Sequence, residues 1–259
     1  TQNLWYATPD GGLAALVYSP SAVKASVSGG TAVSVNEETN YPFGESVTFT
    51  LHIDNKSKSA SFPFHLRIPA WCKKGSIKIN GTTWEEPGGN QVIKINREWK
   101  SGDIVELILP MHIFKNTWHE NSVSIERGPI VYALKIGEEA REIKNDKDPV
   151  AYGSRYHEVR PTTPWNYGLS DIARNKLDEH YTFEKKKDVS GFPWNADSVP
   201  VYIATKARRI PSWQLYNEMA GPIPYSNTYG LETAKEEEII LIPYGATRLR
   251  ISQFPVIGR

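Results

Sequence analysis

Paired carboxylates are the first chemistry to look for in this chain, because two acids facing each other across a bond can cleave a glycosidic linkage. Four acidic runs present themselves: Glu37-Glu38, Glu85-Glu86, Glu138-Glu139 and Glu236-Glu237-Glu238. Each lies in or beside turns and charged stretches. Neighbours on a strand point to opposite faces, so none of these runs reads as a catalytic dyad, and solvated surface is the expectation for all four. Glu126 stands apart, since it ends an apolar strand with Arg127 beside it; a structural ion pair is expected there.

Metal and nucleophile chemistry find no better footing. The six histidines do not cluster: His112 and His119 lie seven apart without a third ligand, and His52 and His65 fall on the outer faces of strands. The single cysteine, Cys72, has no histidine at a telling spacing and reads as a small packing residue. No Gly-x-Ser-x-Gly elbow occurs. The glycine pairs Gly11-Gly12, Gly29-Gly30 and Gly88-Gly89 fit turns, and none opens a strand-to-helix phosphate loop. Asn55-Lys56-Ser57 and Asn80-Gly81-Thr82 match the glycosylation pattern. No catalytic, cofactor-binding or metal residue is therefore assigned in this chain.

The aromatic residues keep one binding option open. There are eight tryptophans and 13 tyrosines. Trp165, Tyr167, Trp194, Trp213 and Tyr216, with Tyr225 and Tyr229, fall in segments rich in Pro, Asn and Gly. Loop aromatics stack on the apolar face of a sugar ring. Prolines and aromatics also anchor irregular loops onto a sheet, and burial is the commoner fate of so much apolar area.

The elements that would position these groups are strands. From Phe62 to Met111 apolar and polar residues alternate, with turns at Asn80-Gly81 and Ser101-Gly102-Asp103. A period of two puts every second side chain on one face of a sheet. Ser46–Ile53 is the cleanest strand. Val47, Phe49, Leu51, Phe64, Leu66, Ile68, Val105, Leu107 and Leu109 are expected to form the first core. Earlier strands are expected at Leu13–Tyr18, Val23–Val27 and Thr31–Val35, and later ones at Val123–Glu126, Ile130–Leu134, Val199–Thr205, Glu238–Ile242 and Thr247–Ser252. Gly137–Asp148 reads as a charged, solvated loop, and Ser170–Leu177 as a short helix capped by Ser170. Short strands punctuated by Gly, Asn, Asp and Pro define an all-β chain: two antiparallel, jelly-roll-like β-sandwich domains in tandem, over roughly 1–113 and 114–259, with a connector near Trp118-His119-Glu120-Asn121.

Composition narrows the partners. Thirty basic and 29 acidic residues among 259 leave a formal charge of +1, which favours neither nucleic acid nor an anionic membrane. No apolar run approaches the ~18 residues of a membrane span. The first residues, Thr1-Gln2-Asn3-Leu4-Trp5-Tyr6, lack an initiator Met and a signal-like n-region, as in a processed or excised chain; a periplasmic or secreted location is favoured over the cytoplasm.

A longer pattern gives these readings a context. Phe64-His65-Leu66-Arg67-Ile68-Pro69-Ala70-Trp71 is followed by Ile79-Asn80-Gly81 and by Arg97-Glu98-Trp99-Lys100-Ser101-Gly102-Asp103. Leu107-Ile108-Leu109-Pro110-Met111, Glu126-Arg127-Gly128-Pro129-Ile130-Val131-Tyr132, Lys206–Pro211 with Trp213, and Ile242-Pro243-Tyr244-Gly245 with Thr247, Leu249 and Arg250 come after, in order. The chain thereby resembles the middle and C-terminal β-sandwich domains of the β-L-arabinofuranosidase-type glycoside hydrolases, glycoside hydrolase family 127 and its relatives. The resemblance implies an (α/α)6 catalytic barrel, absent here, holding a zinc-bound cysteine nucleophile, with a Cys-Cys-Pro signature that this sequence lacks. It makes these domains a non-catalytic accessory region that braces the barrel and mediates oligomer contacts, with no cofactor of its own and zinc in the missing barrel. Leu4, Trp5 and Tyr6 would face that barrel or fold back onto their own sandwich. The alternative is a carbohydrate-binding module that meets plant-type glycans through the second-half aromatics.

Overall fold

The computed structural model describes residues 4–54, 56, 58–187, 189–226 and 234–258, and it divides into two compact units, Thr1–His112 and Ile113–Arg259. The first unit contains ten strands: β1 (Trp5–Ala7), β2 (Leu13–Ala15), β3 (Ser21–Val27), β4 (Thr31–Thr39), β5 (Ser46–Asp54), β6 (Ser59–Ile68), β7 (Ser76–Ile79), β8 (Thr82–Glu85), β9 (Gln91–Lys100) and β10 (Ile104–Ile108). They form a four-stranded sheet in the order β1-β2-β6-β9 and a six-stranded sheet in the order β3-β4-β5-β10-β7-β8. All pairings are antiparallel except β2 with β6, where Leu13 lies opposite Phe64. The inward residues of both sheets make one core. All nine core positions read from the alternation are at most 1% exposed, and Trp99 is buried with them, its indole N–H donating to the Phe62 carbonyl at 2.9 Å.

Turn chemistry sets the register. Asn80 and Gly81 have φ of 51° and 80°, the double left-handed conformation of a tight hairpin between β7 and β8. The Asn80 side chain is engaged at both ends: its amide donates to Asp103 and its oxygen accepts from the Ile104 N–H, both at 2.9 Å. Between β9 and β10 the chain passes from one sheet to the other through Ser101-Gly102-Asp103. Asp103 is buried there, its carboxylate accepting from the Lys100 N–H and its carbonyl from the Leu51 N–H, each at 2.9 Å. At Gly12 the backbone comes so close to β6 that an added Cβ would sit 2.1 Å from the Pro63 carbonyl oxygen.

The second unit contains β11 (Ile113–Thr117), β12 (Val123–Arg127), β13 (Ile130–Leu134), β14 (Glu138–Lys144), β15 (Arg155–Pro161), β16 (Tyr167–Ser170), β17 (Thr182–Lys185), β18 (Val201–Arg209), β19 (Leu215–Tyr216), β20 (Met219–Ala220), β21 (Glu236–Pro243) and β22 (Val256–Ile257). Eight of them form one sheet in the order β11-β12-β13-β21-β18-β16-β22, with β17 also paired to β18. The last residues act as a seam. Phe254 bridges Val123 in β12, the Leu134 N–H donates to the Ile251 carbonyl at 2.8 Å, and Val256–Ile257 runs parallel to Leu169–Ser170. Phe254, Val256 and Ile257 are buried at this seam.

Among the described residues of this unit there are three short α-helices: α1 (Pro149–Tyr152), α2 (Asp171–Asn175) and α3 (Leu177–His180). Ser170 caps α2, its hydroxyl accepting from the Ala173 N–H at 3.1 Å. Two segments differ from the sequence reading. Gly137–Asp148 is not a loop, because β14 pairs with β15 over seven residues. That two-stranded ribbon has water on both faces, so its strands carry charge instead of apolar alternation. Thr247–Ser252 forms no strand, because a single-turn helix at Tyr244–Ala246 redirects the chain and the Leu134–Ile251 bond replaces a continuous ladder.

Candidate functional site

The second-half aromatics do not share one surface. Trp165 and Trp213 pack edge to face with centroids 5.1 Å apart. Trp213 is buried, and its indole N–H donates to the Gly221 carbonyl at 2.9 Å. Tyr216 stands exposed on β19, close to Gly221. Tyr167 is buried elsewhere in the sheet, where its hydroxyl donates to Glu237 at 2.6 Å; burial first, and then that carboxylate, push its pKa up to about 12. Trp194 lies against Gly245, where a Cβ would meet its ring at 2.9 Å. Tyr225 is exposed near Asn121, and Tyr229 lies outside the described residues. The structure thus brings together Trp165, Trp213 and Tyr216, and separates Tyr167 and Trp194 from them.

Local sequence explains the gathering. Asn166, next to Trp165, is buried, and its amide donates to the carbonyls of Ile210 and Trp213 at 2.9 and 3.1 Å, which pins the two tryptophan loops together. The hairpin β19–β20 turns through Asn217 and Glu218, both with positive φ (48° and 63°). Gly221 closes its base: its N–H donates to the Gln214 carbonyl, and a Cβ there would sit 2.6 Å from that oxygen.

Between Trp165 and this hairpin lies a groove of about 460 Å³, whose apolar lining includes Ile136, Val159, Leu215 and Met219. Arg160, Glu218, Arg248 and Arg250 stand around it. Arg160 pairs with Glu218 at 2.9 Å and with Glu158 at 3.7 Å, and Arg248 with Glu138 at 2.6 Å. Arg250 lies over the Tyr244 ring at 4.8 Å and donates to the Thr247 carbonyl. Across Trp165 a second depression, of about 520 Å³, is lined by Thr162, Thr163, Asn166, Arg209 and Gln214. Pro161, Trp165 and Leu215 border both. The arrangement offers an apolar, aromatic surface edged by planar polar groups, of which Arg160 and Arg248 are paired with carboxylates. Sequence reading found the tryptophans but missed Arg160, Glu218, Met219 and Arg248; the one signal for the hairpin is an Asn-Glu turn where Asn-Gly is usual.

The acidic residues are corrected in two places. Glu37 is not solvated: it is 2% exposed, and its carboxylate accepts from the Ser19 N–H at 3.0 Å and from the Ser21 hydroxyl at 2.8 Å. Burial pushes its pKa up to about 7, the two hydrogen bonds offsetting only part of that effect. Glu126 does not pair with Arg127. It accepts from Asn116 and Ser124 at 2.8 and 2.7 Å, while the buried Arg127 guanidinium lies 3.7 Å over the Phe183 ring. The remaining runs have separate partners: Glu86 pairs with Lys74, Glu138 with Arg248 and Glu236 with Arg208. His65 meets Asp10 at 3.2 Å, and Lys94 holds Asp10 well below the usual carboxylate range. Cys72 is buried in the first core, which pushes its thiol up. Among the described residues no group of three or more His, Cys, Asp or Glu side chains is placed to hold a metal ion.

At the start of the chain Leu4 and Trp5 are half-buried and Tyr6 is exposed. Trp5 packs on its own sandwich, stacked on Phe64 at 6.1 Å and edge-on to Phe49 at 5.8 Å, and its indole N–H donates to Ser21.

Fold and site together define an all-β region with a packed core in each unit and a surface groove in the second. Residues 12–111 match the family model described as the GH127 middle domain of β-L-arabinofuranosidase, which spans most of the first unit. Over those residues the chain is similar to a GH127 middle domain. It is 25% identical over 177 residues to a non-reducing end β-L-arabinofuranosidase of Bifidobacterium longum subsp. longum, covering 64% of this chain and 23% of that protein. In fold it is similar to the crystal structure of a GH127 β-L-arabinofuranosidase from Geobacillus stearothermophilus T6 (TM-score 0.62, 23% identity, 98% of this chain and 35% of that one). It is similar also to a solved glycoside hydrolase (TM-score 0.63, 24% identity, 98% and 37%). The chain therefore spans about a quarter to a third of the length of these relatives.

Proposed function

We infer that this chain is the non-catalytic β-sandwich region of a β-L-arabinofuranosidase-like glycoside hydrolase, and that it braces an (α/α)6 barrel which carries the zinc and the cysteine nucleophile. The observation that carries this reading is the family match over residues 12–111, which lies on a sandwich whose buried Glu37 and lone cysteine are committed to packing and to local hydrogen bonds. Leu4, Trp5 and Tyr6 supply a barrel-facing edge. One side of Trp5 is held by Phe49 and Phe64, and Tyr6 extends outward at 44% exposure. Other surfaces of the region serve contacts between copies in an exported enzyme.

The test is reconstitution. A separately expressed GH127 barrel should form a complex with this chain in sedimentation velocity, and the complex should turn over an aryl β-L-arabinofuranoside that this chain alone leaves intact. Trp5→Ala with Tyr6→Ala should weaken the complex. Turnover by this chain alone, or a barrel that ignores it, would overturn the reading.

A further inference from the structure

We propose that the groove bordered by Trp165 and the β19–β20 hairpin binds a neutral oligosaccharide. This goes beyond bracing and does not depend on it, since the argument rests on the second unit alone.

Three observations converge. The first is shape: two depressions of about 460 and 520 Å³ meet at Trp165, Pro161 and Leu215, each within the usual range for small-ligand sites. Two sites joined across one indole suit successive residues of a chain-like ligand better than a single compact molecule. The second is chemistry. A sugar ring has an apolar C–H face and an edge of hydroxyls that both donate and accept. Trp165 with Leu215 and Met219 supplies the matching apolar surface. Arg160 hydrogen-bonded to Glu218 sets donors and an acceptor side by side, and Gln214, Thr162 and Thr163 line the second depression. Charge decides which sugar. Arg160 and Arg248 each have a carboxylate partner, and Arg250 is occupied by Tyr244 and the Thr247 carbonyl. Two of the three arginines in this depression are thus neutralised in place, which disfavours an acidic glycan there.

The third observation is the hairpin itself. Glu218 occupies a left-handed position (φ 63°) that favours glycine, and its carboxylate reaches Arg160 at 2.9 Å. Both central positions of this two-residue turn take positive φ, and Glu218 fills the second with a carboxylate where glycine is usual. Exposed Met219 and Leu215 flank it and would be covered by a bound ring.

The experiment is a titration of the full chain with arabinotetraose, xylotetraose and, as the acidic comparator, tetragalacturonate, followed by tryptophan fluorescence and by amide NMR shifts. A neutral tetrasaccharide should bind and perturb Trp165 and the hairpin. Trp165→Ala should weaken binding roughly tenfold. Because Trp165 also packs on Trp213, Glu218→Gly is the second variant: it should leave the denaturation midpoint unchanged or raise it, yet weaken binding several-fold. No binding of either neutral sugar up to ~10 mM, a preference for tetragalacturonate, or binding that survives both variants would overturn the proposal. None of these outcomes bears on barrel association.

Discussion

Glu37→Gln isolates the cost of a buried carboxylate in the first unit. Glu37 is 2% exposed and is reached by one backbone N–H and one hydroxyl. Tyr18 and Tyr41 lie in the same region with their own pKa values raised by burial, so neither titrates near neutrality. The carboxyl of Glu37 moves from an ordinary 4.5 to about 7 in the folded chain. The native state therefore holds this proton more tightly than the unfolded state does. The associated stability is complete below pH 4.5, falls as pH rises, and is lost once pH passes 7. At about 1.4 kcal/mol per pH unit the gap bounds the effect at ~3 kcal/mol. Glutamine keeps the shape without the charge: its oxygen can accept from Ser19, and the Ser21 hydroxyl, which already accepts from Trp5, has a second lone pair for the new amide. Urea denaturation from pH 4.5 to 8 is the assay. The variant should gain about 1–3 kcal/mol on the parent at pH 8 and little or nothing at pH 4.5. Parallel stability curves would refute the reasoning, because they would mean that Glu37 is ionised at no cost in the folded state.

Two further perturbations test the packing of the same unit. Phe49→Ala or Leu107→Ala, each fully buried, should lose about 2–5 kcal/mol in equilibrium denaturation, whereas Thr48→Ala and Thr50→Ala on the outer face of β5 should stay within about 0.5 kcal/mol. Gly12→Ala would drive a methyl to 2.1 Å from the Pro63 carbonyl oxygen, so β2 must leave β6; a loss above ~2 kcal/mol is expected, and an unchanged melting curve would contradict the β2–β6 pairing.

The first unit was legible because its sheets each keep one face dry. Val47, Phe49 and Leu51, and Phe64, Leu66 and Ile68, alternate without interruption, and the Asn80-Gly81 turn announces its own geometry. The β14–β15 ribbon was not legible, because a strand pair wet on both faces has no reason to alternate. Glu37 was hidden for a related reason: an acid in a Glu-Glu pair looks solvated, and only the register of β3 against β4, which sets Ser21 opposite Glu37, shows that it faces inward. At the groove, sequence gives the aromatic residues but not their company. Trp165 shares the groove with Leu215, Met219 and Arg248, residues distant from it in the chain, and no local pattern records that.

The seam in the second unit has a consequence for synthesis. The first unit can close once Ile108 has left the ribosome, since β10 fills the gap between β5 and β7. The second cannot close until Val256–Ile257 arrives to join Leu169–Ser170 while Phe254 bonds Val123. At ~5–20 residues per second roughly 7–30 s separate the two closures, and once β16 has been made its outer edge stays unpaired until β22 arrives. Open strand edges are templates for pairing with other chains. The interval between those two closures is the window in which a holding chaperone, or slower aggregation kinetics, decides the yield of folded protein.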